Sequence, residues 1–192
     1  MIPRLAIASK NPDKIKEIEE VLGATGLVGE IVQGLRWDDV EENGATLEEN
    51  ALLKARAVAE ATGLPVMADD TGLEVEALGG APGVHTARFA GPEATYADNV
   101  ARMLREMEGI GDRRARFRTV VAMVFPDGVE VVADGSVDGA ITTTPRGSGG
   151  FGYDPIFEVN GRTLAEMPGT EKNQLSHRAR AIRTMASGLG AV

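Results

Sequence analysis

Cysteine is absent from this 192-residue sequence. That excludes disulfides, thiolate nucleophiles and cysteine-ligated zinc, and it accords with a reducing compartment. Histidine is scarce, at two residues, and His85 has neither an HExxH pattern nor a second nearby histidine, which argues against zinc. Positive charge is in deficit. Lys and Arg total 20 against 29 Asp and Glu, a formal net charge of −9, so the surface as a whole repels polyanions and offers no general attraction to nucleic acid or acidic membranes. No apolar run approaches the length of a transmembrane helix. The stretch from Met1 to Ala8 is too short for a signal peptide and leads straight into a structured pattern. The expectation is a soluble cytoplasmic protein without nucleic-acid or membrane partners.

What is present is enough apolar material, 43% of residues, to bury a substantial core, and the length suits a single domain over residues 1–192. Leu5 and Ile7 lie in a short apolar run that reads as a strand. Asn11-Pro12 then reads as a helix N-cap with proline at the first helical position, and Ile15, Ile18, Val21 and Leu22 recur at helical spacing. An acidic, glycine-bearing loop from Asp38 to Gly44 leads to Thr46, which forms a capping-box pattern with Glu49 and opens a helix running to about Gly63. Leu64 to Ala68 is read as a strand ending at a turn, Asp69-Asp70-Thr71-Gly72. The glycine-rich segment Leu78 to Gly91 reads as a loop, and Thr95 to Met107 as a helix. Arg114–Phe125 and Val129–Val137 read as strands joined by Pro126-Asp127-Gly128, hence an antiparallel hairpin. Ser176 is expected to cap a last helix that buries Ala179, Ile182, Met185 and Ala186. Helices and strands alternate and a hairpin follows, so the fold class is α/β, a mixed β-sheet flanked by helices. Trp37, Met103 and Met107 read as packing residues.

Four segments could carry chemistry. Ser9-Lys10-Asn11-Pro12-Asp13-Lys14 is a strand-to-helix turn whose backbone N–H groups and positive dipole end suit a phosphate, with Lys14 adding a full charge. It reads equally as a plain helix cap, and it is no P-loop, because G-x-x-x-x-G-K-[ST] is absent. Asp69-Asp70 lies on an extended backbone, where neighbouring side chains face opposite ways. Only one of the two can serve a given pocket, so a second acidic metal ligand would come from Glu41 or Glu42, oxygen donors of the kind Mg2+ takes. The bland alternative is a solvated turn. Arg146 to Pro155 formally contains G-x-G-x-x-G, but Pro155 disfavours the helix that a dinucleotide fingerprint should open. Its glycines suit close approach of a ligand. With only eight aromatic residues in the chain, Phe151 and Tyr153 in that loop suggest a base-stacking surface or, alternatively, anchors of the loop. Ser176-His177-Arg178 offers hydrogen-bond donors at a helix start, or a simple helix end.

Taken in order, Ser9-x-Asn11-x-x-Lys14, Glu49-Asn50-Ala51-x-x-Lys54-Ala55, Ala68-Asp69-Asp70-Thr71-Gly72-Leu73, Gly79-Gly80-Ala81-Pro82-Gly83, Gly149 to Pro155 and Ser176-His177-Arg178 resemble the inosine/xanthosine triphosphate pyrophosphatase family over nearly the whole chain. The resemblance implies an elongated α/β fold of two lobes with a central nucleotide-binding cleft, a homodimer, Mg2+ as cofactor, and hydrolysis of ITP, dITP and XTP to monophosphate and pyrophosphate. It also implies roles. Ser9 to Lys14 and Lys54 would hold phosphates, Asp70 would be general base and metal ligand, and Glu41 the other metal ligand, with Glu42 one position away. Thr71 would contact substrate, Phe151 would stack on the purine, and Gly152, Tyr153 and Asp154 would line the base pocket. Lys172, His177 and Arg178 would complete recognition. The sequence departs from the family pattern at Asn43, where threonine is common, and at His85-Thr86, which replaces an aromatic-serine pair. Two other readings remain open: a pyrophosphatase for modified pyrimidine nucleotides on a similar fold, and a purine nucleotide sensor without turnover.

Overall fold

A computed structural model describes residues 1–190. The chain begins with strand β1 (Ile2–Ile7), helix α1 (Pro12–Thr25) and strand β2 (Val28–Ile31), followed by α2 (Leu47–Thr62) and β3 (Val66–Val75). β1 pairs in parallel with both β2 and β3, in register Ile2↔Val28 and Ala6↔Val66. The two-residue strand β4 (Pro82–Gly83) pairs antiparallel with β3. Then come α3 (Tyr96–Glu106), β5 (Arg114–Val124), β6 (Glu130–Ile141), β7 (Phe157–Val159), β8 (Arg162–Thr163), α4 (Gly169–Leu175) and α5 (His177–Gly188). The sheet has eight strands in the order β2-β1-β3-β5-β6-β7-β8, with β4 beside β3. Phe125 N–H donates to Val129 O at one end of the β5–β6 pair and Ile141 N–H to Arg113 O at the other, a descending register that makes the hairpin antiparallel.

Local chemistry sets the helix ends. Asn11 caps α1 with its side-chain oxygen, and Pro12 supplies the first helical residue. Thr46 and Glu49 form the reciprocal capping box at α2, and Gly63 closes it in the left-handed conformation. Thr95 and Asp98 do the same for α3.

The chain divides into two compact units. The first comprises Met1–Asp70, Thr119–Gly135 and the chain from His177 on, and the second Thr71–Arg118 and Ser136–Ser176. In the first, Leu5, Ile18, Leu22, Met67, Met123 and Ile182 are fully buried in one core. In the second, Leu73, Met103, Met107, Ile156 and Phe157 fill another, with the rings of Phe117 and Phe157 packed 4.6 Å apart. Met103 and Met107 are thus packing residues. Trp37, half-buried, lines a cavity of about 510 Å³ with Ile31, Leu35 and Lys10.

The principal departure from expectation is β3. The carboxylates and glycine of Asp69-Asp70-Thr71-Gly72 do not turn the chain: the strand runs through them to Val75. Eight of its ten residues are buried, the pattern of a strand covered on both faces, and the acids are tolerated there because cationic and amide side chains reach them. The short helix α4 had no helical period to announce it. Within the glycine-rich Leu78 to Gly91 segment lie β4 and a 3-10 turn, Thr86–Arg88. Among the described residues, no helix is long and apolar enough to cross a membrane.

Candidate active site

In the first unit, five charged side chains meet around the two acids of β3. Asp69 is almost wholly buried. Its Oδ2 lies 3.3 Å from Lys14 Nζ and accepts from Arg178 Nε at 3.1 Å. Arg178, buried at the first turn of α5, also donates through Nη1 to Glu17 on α1. Lys54, from the third turn of α2, donates to the Asp69 backbone carbonyl at 2.7 Å and to Glu42 Oε2 at 3.0 Å, and stands 3.9 Å from Asp70 Oδ1. Asp70 Oδ2 accepts from Asn50 Nδ2 at 3.1 Å. The two carboxylates meet different partners, as a period-two strand requires: Asp69 those of α1 and α5, Asp70 those of α2.

Their proton affinities diverge accordingly. Burial presses on Asp69 most strongly and by itself would raise its pKa, but Lys14, Arg178 and Lys54 together outweigh it and hold the carboxyl well below the usual range. At Asp70 burial wins, with Lys54, Lys14 and the Asn50 hydrogen bond opposing it and the Glu42 charge reinforcing it, so its pKa is raised. Adjacent acids pushed apart in this way take different roles. Asp69 thus holds its proton less firmly, and Asp70 more firmly, than a free aspartate.

The Ser9 to Lys14 turn differs from a bare ring of N–H donors. Asn11 Oδ1 accepts from the N–H groups of Asp13, at 2.9 Å, and Lys14, at 3.3 Å, and Ser9 Oγ accepts from Asn11 N–H. The cap therefore occupies donors that the phosphate reading had assigned to a ligand. Lys10 is exposed and paired with Asp39, and Pro12 and Asp13 are exposed. Lys14 is the cation of this turn that the structure brings to the β3 acids. His177 is buried, with Nδ1 2.6 Å from the hydroxyl of Thr119 on β5.

The second unit holds the glycine loop. Asp154 Oδ2 accepts from Phe151 N–H at 2.9 Å, and the Asp154 carboxylate is ion-paired with Lys172, both side chains being buried. Gly150 has φ +69°, and a Cβ there would sit 2.0 Å from Asp154 Oδ2, so only glycine permits the carboxylate to reach back to Phe151. Lys172 Nζ lies 4.8 Å from the centre of the Phe151 ring, which is half-buried and also packs against the exposed Tyr96 at 5.9 Å. Tyr153 is the loop's anchor: its ring is buried and its hydroxyl donates to Thr86 O at 2.9 Å. Thr86, at the family-variant pair, accepts from Leu73 N–H at 2.8 Å and donates to Gly83 O at 2.6 Å. Thr71, half-buried, follows Asp70 on β3, and Gly152 adopts φ +63°.

The family resemblance implies Glu41 as the other acidic metal ligand, with Glu42 one position away. Glu42 is the one that pairs with Lys54 and whose charge raises the Asp70 pKa, while Glu41 is exposed. Asn50, Glu17 and Thr119 are partners that the sequence does not announce as a group. For Asn50 a signal existed, since it precedes Lys54 by four residues and so shares its helix face. Among the described residues no group of three or more His, Cys, Asp or Glu is arranged to hold a metal. The hard oxygens of Asp70 and Glu42, which lie 3.9 and 3.0 Å from Lys54 Nζ, are of the kind an ion such as Mg2+ takes, with one or two carboxylates and a shell completed by phosphate and water.

A profile of the Ham1 family matches residues 5–188. The dITP/XTP pyrophosphatase of Methylococcus capsulatus is 48% identical, over 98% of this chain and 97% of that protein. The dITP/XTP pyrophosphatase of Geobacillus kaustophilus is 44% identical over 93% and 90%. Among solved structures, a HAM1 protein from Coxiella burnetii superposes with a TM-score of 0.88 at 39% identity, covering 100% of both chains. A nucleoside-triphosphatase, dITP/XTP pyrophosphatase from Mycobacterium abscessus gives 0.75 at 41% identity, covering 97% of this chain and 99% of the other. On sequence and on structure alike, the chain belongs to the Ham1 family.

Proposed function

We propose that this protein hydrolyses deaminated purine nucleoside triphosphates, ITP, dITP and XTP, to the monophosphate and pyrophosphate, and so removes them from the nucleotide pool. The observation that carries this reading is the pair of adjacent acids with opposed proton affinities beside Lys14 and Lys54, in a chain closely related to dITP/XTP pyrophosphatases. Asp70 takes a proton from the water that attacks the α-phosphorus, a new P–O bond forms, and pyrophosphate leaves with the electrons of the broken α–β anhydride bond. Lys14 and Lys54 counter the phosphate charge from fixed positions. Mg2+, held by Asp70 and Glu42, supplies further charge neutralisation when bound.

Base recognition falls to Phe151 for stacking and to Lys172, His177 and the Gly152 to Asp154 backbone for polar contacts. Donors that meet a 6-oxo group leave a 6-amino group facing another donor, at about 1–3 kcal/mol for each buried group left unpaired. We take residues 1–192 as one catalytic domain, in keeping with the single family profile that matches residues 5–188. A cytoplasmic homodimer completes the proposal.

The test is incubation with ITP, XTP, ATP, GTP and a pyrimidine nucleoside triphosphate in the presence and absence of Mg2+, with identification of the phosphate product. Pyrophosphate from ITP and XTP is expected. Orthophosphate as the first product, or preference for a pyrimidine nucleotide, overturns the assignment.

A further inference from the structure

We propose that Asn50 is a positioning residue that fastens the acidic loop bearing Glu42 to Asp70, so that the two carboxylates are held at one spacing before any ligand arrives. The proposal rests on the assignment of Asp70 and Glu42 to the hydrolytic site. Asn50 is fully buried in the first turns of α2. Its Oδ1 accepts from the backbone N–H of Gly44 at 2.8 Å, and its Nδ2 donates to Asp70 Oδ2 at 3.1 Å. The Gly44 bond fixes the orientation of the amide, because an N–H can be met only by the oxygen. The NH2 group is thereby committed to the carboxylate.

Two further features point the same way. Gly44 stands only two residues after Glu42, and a Cβ on it would lie 2.7 Å from both Asn50 Oδ1 and Glu49 Cβ, so the loop approaches α2 too closely for any side chain. Neighbouring bonds from Ala45 N–H and Thr46 N–H to Glu49 Oε2 hold the same segment. One turn further along the helix, Lys54 bridges Glu42 and the Asp69 carbonyl. Loop, helix and strand are thus joined at two levels, and Asn50 is the level that touches the base directly. Without it the loop loses its buried tie at Gly44, and Asp70 loses the Asn50 amide donor.

The test compares wild type with Asn50→Ala, Asn50→Asp and Gly44→Ala by three readouts: hydrogen exchange over residues 38–46, Mn2+ binding without nucleotide, and ITP turnover. For Asn50→Ala, faster exchange, Mn2+ binding weakened about 10- to 100-fold and a comparable fall in kcat with little change in KM are expected, as for other groups that orient a ligand. Asn50→Asp keeps the acceptor for Gly44, so exchange stays slow while the new charge beside Asp70 depresses kcat. Gly44→Ala leaves Asn50 in place but lifts the loop, so exchange quickens and Mn2+ binding weakens. Should Asn50→Ala fail to fold, the other two variants decide. Unchanged exchange and Mn2+ affinity in Asn50→Ala, or in Gly44→Ala if that variant must stand in, overturn the proposal. If wild type does not hydrolyse ITP, the functional reading fails, and the exchange data still decide whether the clamp exists.

Discussion

Asp69 and Arg178 stand 109 positions apart in the chain and meet as a buried ion pair, Nε to Oδ2 at 3.1 Å. Burial of both charges is tolerated because Lys14 supports the carboxylate and Glu17 the guanidinium. Breaking such a pair from one side leaves an uncompensated charge, at about 3–5 kcal/mol. Arg178→Met should therefore reduce folding stability by that order, read from urea unfolding. Adding Asp69→Asn should recover part of the loss, because the stranded charge goes too. Additive losses in the double variant would show that the pair is not a unit.

Asp70→Asn should behave in the opposite way. Its pKa is raised above the ordinary 3.8, so the folded chain holds this proton more firmly than the unfolded chain. The group's contribution to stability is full below the unfolded pKa and is lost as pH rises through the raised folded value. At neutral pH the ionised carboxylate is thus a small burden, and the amide should leave stability equal or slightly higher. Turnover of ITP should fall by about 10²–10⁴-fold, the usual worth of a general base. A variant with near-normal turnover would remove Asp70 from that role.

The two acids also show how far the sequence could be read. Apolar periodicity and capping residues indicate α1, α2 and α3, periodicity alone indicates α5, and a turn sequence indicates the hairpin, whose second strand runs four residues beyond the expected Val137, to Ile141; those signals are local. The end of β3 was misread because Asp-Asp-Thr-Gly has the composition of a turn, and only partners remote in sequence, Arg178 above all, make such a run acceptable inside a strand. The pairing of Glu42 with Lys54 depends on where Lys54 points, and the contacts of Asn50 on a backbone N–H six residues away. The family resemblance implies that Asp154 and Lys172 serve one site. Their direct pairing is a tertiary fact no spacing encodes.

That pairing predicts a dissociation of stability from activity. Lys172→Met leaves Asp154 buried without its cation and should destabilise the protein by about 3–5 kcal/mol. Pairing it with Asp154→Asn should restore most of the stability, since the amide oxygen can still accept from Phe151 N–H. ITP hydrolysis should stay low in the double variant, because the cation beside the Phe151 ring is gone. Thermal unfolding and KM for ITP, measured on the same preparations, check both halves. Recovery of activity together with stability would confine Lys172 to a structural role.

His177 depends on Thr119 in a way that bears on selectivity. The Thr119 hydroxyl lies 2.6 Å from Nδ1, with both side chains buried. The partner of one ring nitrogen sets what the other can do: when the hydroxyl donates to Nδ1, Nε2 carries the proton, and in the proposed function it would meet a 6-oxo group. Thr119→Val keeps the shape and removes the hydroxyl, at about 1–3 kcal/mol for the buried nitrogen left unmet. The expected result is a raised KM for ITP and a smaller preference for ITP over ATP. Thr119→Ser should restore both, since it returns the oxygen with little change in packing. Equal ITP to ATP ratios in wild type and Thr119→Val would show that the hydroxyl has no part in discrimination.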